Sequence, residues 1–114
     1  MIIKRGNIYL ANFEPIKGKE QGGIRPALII QNDEGNENSP VTIVAAITSK
    51  KFSKDFATNV SITRKDSGLD KDSTILLNQI RTIDKSRLIK QIGELDSFLM
   101  NQVDIALKIS LGLN

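Results

Sequence analysis

Residues 41–47, VTIVAAI, decide the fold class of this 114-residue chain. Apolar, largely β-branched side chains occupy both alternating sets of positions, which is typical of a strand buried on both faces. Upstream, residues 7–13 (NIYLANF) alternate in the period of a half-buried strand. Residues 25–31 (RPALIIQ) predict another strand, which opens near a proline where no ladder donor is needed. A long exposed loop at 14–23 and a polar turn at 32–40 are expected between these strands.

Short strands continue on the other side of this central stretch. Residues 58–62 and 73–77 are expected to be strands separated by a turn at 66–68, and residues 88–93 add a possible last strand. Several short strands with turn signals between them indicate a small antiparallel β barrel, a fold that removes sheet edges by closing them.

The hydrophobic period changes near the C-terminus. Asp96 or Ser97 can supply an N-cap oxygen there, and Gly112 can end a helix. The apolar side chains between them form one helical stripe: Met100, Val103, Leu107 and Leu111, flanked by Leu99 and Ala106. The predicted fold class is therefore mainly β with a C-terminal helix, an SH3-like small antiparallel β barrel.

Length and composition limit the organisation of the chain. A chain of 114 residues suits one domain, so residues 1–114 are expected to form a single domain. No apolar run approaches the roughly 20 residues that span a bilayer, and residues 1–6 lack the apolar stretch of a signal peptide. A cytoplasmic location without membrane association is expected. The net charge of +3 favours polyanionic partners only weakly.

The chain contains neither cysteine nor histidine. Disulfides, thiolate metal sites and the usual proton shuttle near neutral pH are therefore excluded. Catalysis would depend on carboxylates, hydroxyls, amides or guanidinium groups, or on a metal held by oxygen alone. The acidic side chains are dispersed along the chain rather than grouped in a ligand pattern, so no metal and no cofactor are expected.

Residues 20–26, EQGGIRP, have the composition of a ligand-binding loop. Gly22 and Gly23 let the backbone approach a ligand closely, and Pro26 fixes the chain directly behind Arg25. A guanidinium held at the root of such a loop suits phosphate recognition, because its planar fork donates two parallel hydrogen bonds. From the residues alone, a glycine-rich turn with a solvated arginine remains the alternative.

Two further stretches place polar side chains directly after apolar strands. Residues 45–51, AAITSKK, bring Thr48 and Ser49 to the point where a buried strand reaches the surface. Residues 76–83, LLNQIRTI, place an amide pair in the same kind of position. The alternatives are an ordinary strand end with solvated lysines, and amides that bond only to exposed backbone.

These stretches together carry a family resemblance. Residues 20–33 (EQGGIRPALIIQND), 44–49 (VAAITS), 76–88 (LLNQIRTIDKSRL) and 106–113 (ALKISLGL) closely resemble the MazF/PemK toxins. The resemblance covers essentially the whole chain, and the order and spacing of its motifs are highly specific.

The resemblance implies a CcdB/PemK-like barrel that acts as a homodimer. It also implies a sequence-specific, ribosome-independent endoribonuclease that cuts single-stranded mRNA and is neutralised by an acidic MazE-like antitoxin. The catalytic positions of the family fall on Arg25 and Thr48. Its RNA-binding positions fall on Glu20, Gln21, Asn32, Ser49 and Gln79.

One position departs from the family pattern. Many relatives carry an acidic residue just before the glutamine, where this chain has Asn78. The cleavage motif therefore does not follow from the resemblance, although the type of reaction does.

The expected reaction uses the RNA as its own nucleophile. The ribose 2′-hydroxyl attacks the adjacent phosphorus and the 5′-oxygen leaves, giving a cyclic phosphate or its hydrolysed form. Arg25 can stabilise charge on the phosphoryl oxygens, and Thr48 can donate a hydrogen bond or orient the attacking hydroxyl. An arginine stays protonated near neutral pH and is a poor general base, so Glu20 is the better proton acceptor if one is used at all.

Two other functions compete with this one. A CcdB-like, non-enzymatic topoisomerase poison would have an aromatic residue at the end of its tail, whereas this chain lacks tryptophan and ends in Leu113 and Asn114. A passive RNA-binding barrel would present stacking aromatics. The chain has four phenylalanines and one tyrosine, and the strand pattern assigns Tyr9 and Phe13 to the core.

The two loops that the family places around its active groove are rich in cations, which together we call the positive track. We hypothesise that the positive track binds either the RNA backbone or an acidic, disordered antitoxin segment. A solvated rim that keeps the protein soluble is the alternative. The cations are Lys17, Lys19, Arg25, Lys50, Lys51 and Lys54, among which Glu20 and Asp55 are the main acids.

Overall fold

Six antiparallel strands and a C-terminal helix carry the fold. The computed structural model describes residues 2–15, 18 and 23–114. The described strands form one sheet in the order β4-β5-β3-β2-β1-β6. The elements are β1 (Asn7–Asn12), β2 (Ile24–Ile29), α1 (Asp33–Asn38), β3 (Val41–Thr48), β4 (Asn59–Ile62), α2 (Arg64–Ser67), β5 (Ser73–Asp84), a 3-10 turn (Lys85–Arg87), β6 (Leu88–Glu94) and α3 (Ser97–Leu111).

The central strands are buried on both faces of the sheet. Alternate residues of β1, β2 and β3 enter two separate apolar clusters, because successive side chains of a strand point to opposite faces. One cluster lies under α3 and contains Ile8, Leu28 and Ile47. The other contains Tyr9, Ala27, Ile29 and Val44. The predictions of a doubly buried central strand and of a mainly β fold with a C-terminal helix are confirmed.

Helix α3 begins and ends where its sequence predicts. Asp96 is the N-cap, and its side chain accepts a hydrogen bond from the backbone N–H of Leu99 at 2.9 Å. Gly112 caps the other end in the left-handed conformation with a φ of 70°. Val103, in the middle of the predicted stripe, is completely inaccessible to solvent, whereas Leu111 at the end of the stripe is exposed. In the described part of the chain, no helix combines the length and apolarity that crossing a bilayer requires.

A close backbone contact joins the two ends of the sheet. The turn predicted at residues 66–68 lies partly in helix α2, which ends at Gly68 with a φ of 77°. A Cβ on Gly93 of β6 would lie 2.1 Å from the carbonyl oxygen of Ser67. The connection between β4 and β5 therefore packs directly on β6, which brings the two edges of the sheet together as the predicted barrel requires.

Residues 32–40 are not the polar turn that the sequence predicts. They contain helix α1, for which Asn32 is the N-cap: its side chain accepts a hydrogen bond from Gly35 N at 2.7 Å. Asn36 is buried and holds the helix on the sheet. Its Oδ1 accepts a hydrogen bond from the Thr42 hydroxyl at 2.7 Å, and its amide donates to the Gln31 carbonyl at 2.9 Å.

The strand predicted at residues 73–77 continues to Asp84. Its pairing with β3 shifts register in the middle: Ala45 lies opposite Ile80, whereas Ala46 lies opposite Leu76. Residues 77–79 are therefore a bulge, which interrupts the alternating pattern that marks a strand in the sequence.

Candidate active site

Arg25 and Thr48 are placed by adjacent strands on the same face of the sheet. Ala27 of β2 pairs with Ala46 of β3 in an antiparallel register. Arg25 lies two residues before Ala27, and Thr48 lies two residues after Ala46, so continuing the register puts the two residues opposite each other. Since the side-chain period of a strand is two, both side chains share the face of Ala27. The structure thus brings together the two residues predicted to be catalytic.

The hydroxyl group of Thr48 is fixed at the end of β3. The residue is only 5% exposed, and it pairs with Thr74 of β5. Its Oγ1 accepts a hydrogen bond from the backbone N–H of Lys50 at 3.2 Å. This bond uses the oxygen as an acceptor, and the hydroxyl can still donate its own proton to a ligand.

Ser49 lies in a cleft together with Arg25. The cleft has a volume of about 550 Å³, and its polar lining includes Lys71, Ser73 and Asp70 from the segment before and at the start of β5. Ser49 is exposed, whereas its neighbour Thr48 is buried. The predicted RNA-binding position Ser49 therefore lines the same cleft as Arg25 and is accessible to a ligand.

The stems of the loop between β1 and β2 are firmly attached to the sheet. Phe13 N donates to the Gly23 carbonyl at 2.9 Å across the base of the loop. The Arg81 guanidinium donates to the Phe13 carbonyl at 3.2 Å and lies 5.5 Å from the centroid of the Phe13 ring. Arg87 donates to the carbonyl oxygens of Asn12, at 3.0 Å, and of Glu14. Arg81 of β5 and Arg87, which directly precedes β6, thus fix the first stem.

Part of the predicted site lies outside the described residues. These positions are the RNA-binding residues Glu20 and Gln21 and the loop cations Lys17 and Lys19. The segment that contains them is closed at its base by the bond between Phe13 and Gly23, and Gly23 directly precedes β2, the strand that carries Arg25.

Gln79 lies in a second cleft, which we call the aromatic cleft. It has a volume of about 230 Å³, and its lining comes from the β3–β4 loop, β4 and the bulge of β5. It is lined by Lys50, Phe52, Phe56, Thr58, Asn59, Leu76, Asn78 and Gln79. The bulge presents the predicted amide pair to this cleft.

Asn32 does not join Arg25 and Thr48. It follows the far end of β2, seven residues along the chain from Arg25, which corresponds to roughly 20 Å of extended strand. Its side chain serves as the N-cap of α1. If Asn32 contacts RNA, the contact lies well away from the Arg25–Thr48 pair.

Sequence reasoning missed two groups of residues near the site. Arg81 of β5 pairs with Val44 of β3, and Thr48 lies four residues after Val44, so Arg81 and Thr48 share one face of the sheet. Arg81 belongs to the QIRTID motif of residues 79–84, which could have identified it from the sequence. The exposed phenylalanines Phe52 and Phe56 lie in a loop without hydrophobic period, so no pattern marked them.

Acidic groups are not clustered at the site. Among the residues that the structure describes, no three His, Cys, Asp or Glu side chains are grouped in a way that could hold a metal ion. Arg25, Thr48 and Ser49 instead offer a cation and two hydroxyl groups, a combination that recognises phosphate.

Comparisons with known proteins identify the family of the chain. The profile of a family described as PemK-like, MazF-like toxin of type II toxin–antitoxin system matches residues 4–111. The chain is 54% identical over 113 residues to endoribonuclease EndoA of Bacillus subtilis (strain 168), covering 99% of this chain and 97% of that protein.

Solved structures show the same architecture. MazF from Deinococcus radiodurans superposes with a TM-score of 0.84 at 26% identity, with 99% of each chain covered. A MazE–MazF structure from the same organism gives a TM-score of 0.78 at 26% identity, covering 100% of this chain and 99% of that one.

Proposed function

Because this chain belongs to the PemK-like, MazF-like toxins of type II toxin–antitoxin systems, we propose that it is an endoribonuclease that cuts single-stranded RNA at short sequence motifs without the ribosome. The observation that carries the proposal is the 54% identity to an endoribonuclease over nearly the full length of both chains. The opposition of Arg25 and Thr48 across two strands supplies a chemical basis for it.

In the proposed reaction, the RNA 2′-oxygen attacks phosphorus while the bond from phosphorus to the 5′-oxygen breaks. Negative charge grows on the non-bridging oxygens, and the Arg25 guanidinium stabilises it with two parallel hydrogen bonds. The Thr48 hydroxyl donates a third hydrogen bond from the neighbouring strand. The backbone bond from Lys50 to Thr48 Oγ1, at 3.2 Å, supports this assignment because it fixes the position of the oxygen before the substrate binds.

The proton on the 2′-hydroxyl needs an acceptor or must pass to water. A guanidinium stays protonated near neutral pH, which makes it a poor base. We assign the role of proton acceptor to the carboxylate of Glu20, the first residue of the EQGGIRP motif. The 5′-oxygen takes up a proton from water as it leaves, and the first product carries a cyclic phosphate.

The substrate-binding residues of the proposal are Glu20, Gln21, Asn32, Ser49 and Gln79. Ser49 shares a cleft with Arg25, and Gln79 lines the aromatic cleft. Amide side chains can pair with base edges through two hydrogen bonds, so Gln21 and Gln79 suit base recognition.

The proposal extends to partners and setting. The D. radiodurans MazE–MazF structure supports a cognate acidic MazE-like antitoxin as partner, and the family resemblance supports a homodimer. Residues 1–114 form one domain in this proposal, supported by a single sheet that contains all described strands. The protein acts in the cytoplasm, where its mRNA substrate is found, and associates with no membrane.

The alternative of a CcdB-like topoisomerase poison is disfavoured. The relative that matches nearly the whole chain is an endoribonuclease, and the matching profile is that of PemK-like and MazF-like toxins.

Incubation of purified protein with a defined single-stranded RNA, with EDTA present, tests the proposed function. We expect discrete cuts by the wild type and none by Arg25→Ala. Uncut RNA together with trapped topoisomerase–DNA complexes would instead establish the poison. RNA that is bound but never cut would establish a passive RNA-binding barrel.

A further inference from the structure

Phe52 and Phe56 are exposed in the loop that joins β3 to β4. Their side chains are 36% and 43% exposed, whereas Tyr9 and Phe13 are buried in the core as the sequence predicts. The two rings meet edge to face, with centroids 6.0 Å apart and planes at 81°. This arrangement is favourable for an aromatic pair. Both rings are exposed to solvent and belong to neither of the two core clusters.

A lysine accompanies each ring. The Lys50 ammonium lies 5.5 Å from the centroid of Phe52, and the Lys54 ammonium lies 5.2 Å from that of Phe56. Both distances are within the range of cation–π attraction. A planar apolar ring beside an ammonium group is the combination that binds a nucleotide, because the base stacks on the ring and the phosphate pairs with the cation.

The polar groups of the aromatic cleft suit the edge of a base. Asn78 and Gln79 reach the cleft because the bulge of β5 adds residues 77–79 between the pairs Ala45–Ile80 and Ala46–Leu76. Asn78 is exposed, and each amide offers both a donor and an acceptor. A base that stacks on Phe56 can therefore meet amide groups at its edge.

The aromatic cleft is continuous with the candidate active site. Its loop begins directly after Thr48, and the backbone N–H of Lys50 is bonded to Thr48 Oγ1. Phe52 also lines a neighbouring depression together with Ser49. A strand of RNA with its scissile phosphate at Arg25 and Thr48 would thus place a nearby base within reach of the cleft.

We propose that Phe52 and Phe56 form a stacking site for one unpaired base of the RNA, with Asn78 and Gln79 at the edge of that base and Lys50 at its phosphate. The inference rests on the proposed function and adds a specificity-determining site to it. It also gives a consequence to Asn78, which stands where many relatives carry an acidic residue. An amide donates and accepts hydrogen bonds whereas a carboxylate only accepts, so the two pair with different base edges.

A double-mutant cycle between protein and RNA tests the stacking. The probe is the shortest RNA that the wild type cuts, found by sequencing 5′ ends after digestion, made uncleavable by a 2′-deoxy sugar at the scissile position. A series of these RNAs carries an abasic site at each position in turn. Dissociation constants are measured for wild type, Phe56→Ala, Phe56→Leu and Phe52→Ala.

We expect Phe56→Ala to weaken binding of the intact RNA roughly 5- to 150-fold, the range found for loss of one base–aromatic stack. At one position, removing the base should cost the wild type a similar factor and cost Phe56→Ala little, because the two changes delete the same contact. Phe56→Leu keeps an apolar side chain without the ring and should also bind weakly. Phe98→Ala is the matched control, since Phe98 is 67% exposed on α3 and outside the aromatic cleft.

Melting temperatures of all variants show that the comparison is between folded proteins. Effects of Phe56→Ala and of base removal that simply add at every position would overturn the stacking site. Unchanged RNA affinity combined with weaker binding of an acidic antitoxin peptide would also overturn it and assign the rings to the peptide. Both outcomes leave wild-type cleavage intact, whereas a wild type that cuts no RNA contradicts the proposed function itself.

Discussion

Continued by two residues, the pairing of Ala27 with Ala46 sets Arg25 of β2 opposite Thr48 of the antiparallel strand β3. The strand that carries Arg25 is also paired with β1 on its other side, where Ala11 lies opposite Arg25. Thr48 in turn pairs with Thr74. Both residues are thus held by backbone ladders, which preorganises the phosphate site that we propose.

Replacement of Arg25 tests this pair. We expect Arg25→Ala to lower the cleavage rate at least about 100-fold, the effect of removing one preorganised charge-stabilising group. The melting temperature should change little, because Arg25 is outside both core clusters. Arg25→Lys should restore little activity, since a single ammonium cannot form the two parallel bonds of a guanidinium. Near wild-type cleavage by Arg25→Ala would remove this residue from the mechanism.

The chemistry of the 2′-hydroxyl leads to a prediction about metals and substrates. We expect full activity in millimolar EDTA, because the proposed charge stabilisation comes from Arg25 and Thr48. An RNA with a 2′-deoxy sugar at the scissile position should resist cutting, while a 2′-deoxy sugar elsewhere should have little effect. Loss of activity in EDTA and its recovery with magnesium would show that the proposed mechanism is wrong.

Asn32 allows structural and RNA-binding roles to be separated. Asn32→Ala removes the N-cap of α1 and should cost about 1 kcal/mol of stability, or a melting temperature lower by about 4 °C. Asn32→Asp keeps a capping oxygen and should retain the stability. Thermal melts measure this effect. Weaker RNA binding by a fully stable Asn32→Ser, which keeps a capping oxygen without adding a negative charge, would show that the amide also contacts RNA.

The contact that joins the sheet edges can be tested with two glycines of similar conformation. Gly68 and Gly112 have φ values of 77° and 70°, so alanine is strained at both positions. A Cβ on Gly68 would also lie 2.9 Å from the carbonyl oxygen of Ile92, whereas one on Gly112 meets nothing within 4 Å. Gly68→Ala should therefore lower the free energy of unfolding more than Gly112→Ala does, by roughly 1–3 kcal/mol.

Denaturant unfolding of the two glycine variants checks the difference. Equal losses of stability would show that backbone strain alone matters and that the contact between Gly68 and Ile92 is not tightly packed.

The positive track can be tested by charge reversal. Lys50→Glu with Lys51→Glu should weaken RNA binding, and the slope of affinity against salt should fall by about 0.7 for each phosphate that the protein no longer neutralises. Binding of an acidic antitoxin should weaken in parallel. Lys90→Glu with Lys108→Glu changes the net charge equally on β6 and α3, and should have a smaller effect.

Competition distinguishes one shared site from two. An antitoxin that binds the Lys50→Glu, Lys51→Glu protein undiminished, and does not displace a non-cleavable RNA from the wild type, would show that RNA and antitoxin occupy different surfaces.

Strong periodicity made most of the fold predictable. The doubly apolar stretch of β3 and the stripe through Val103 in α3 have no other plausible packing. Helix α1 was missed because four of its six residues, two asparagines, an aspartate and a glycine, are poor helix formers. It forms through tertiary contacts of Asn36 with Gln31 and Thr42, which no local pattern contains.

The site was predictable only in part for the same reason. Motifs pointed to Arg25, Thr48 and Ser49. The strand register then set Arg25 against Thr48, and Arg25 and Ser49 line one cleft. The aromatic cleft depends on a register shift in β5, and such a shift follows from the folded sheet rather than from residue types. The position of Phe52 and Phe56 beside Asn78 and Gln79 therefore follows only from the folded structure, in which the loop after β3 lies against the bulge.

The ladder between β1 and β6 pairs the first described strand with the last. Leu95 N also donates to the Gly6 carbonyl at 2.9 Å, and Arg5 forms an ion pair with Asp104 of α3. While a ribosome is still synthesising residues 88–111, β1 has only one of its two neighbours and the cluster around Ile8 has no covering helix. A nascent chain with Arg25 and Thr48 already translated therefore still lacks the finished barrel, which delays the appearance of a folded toxin until residues 88–111 have left the ribosome.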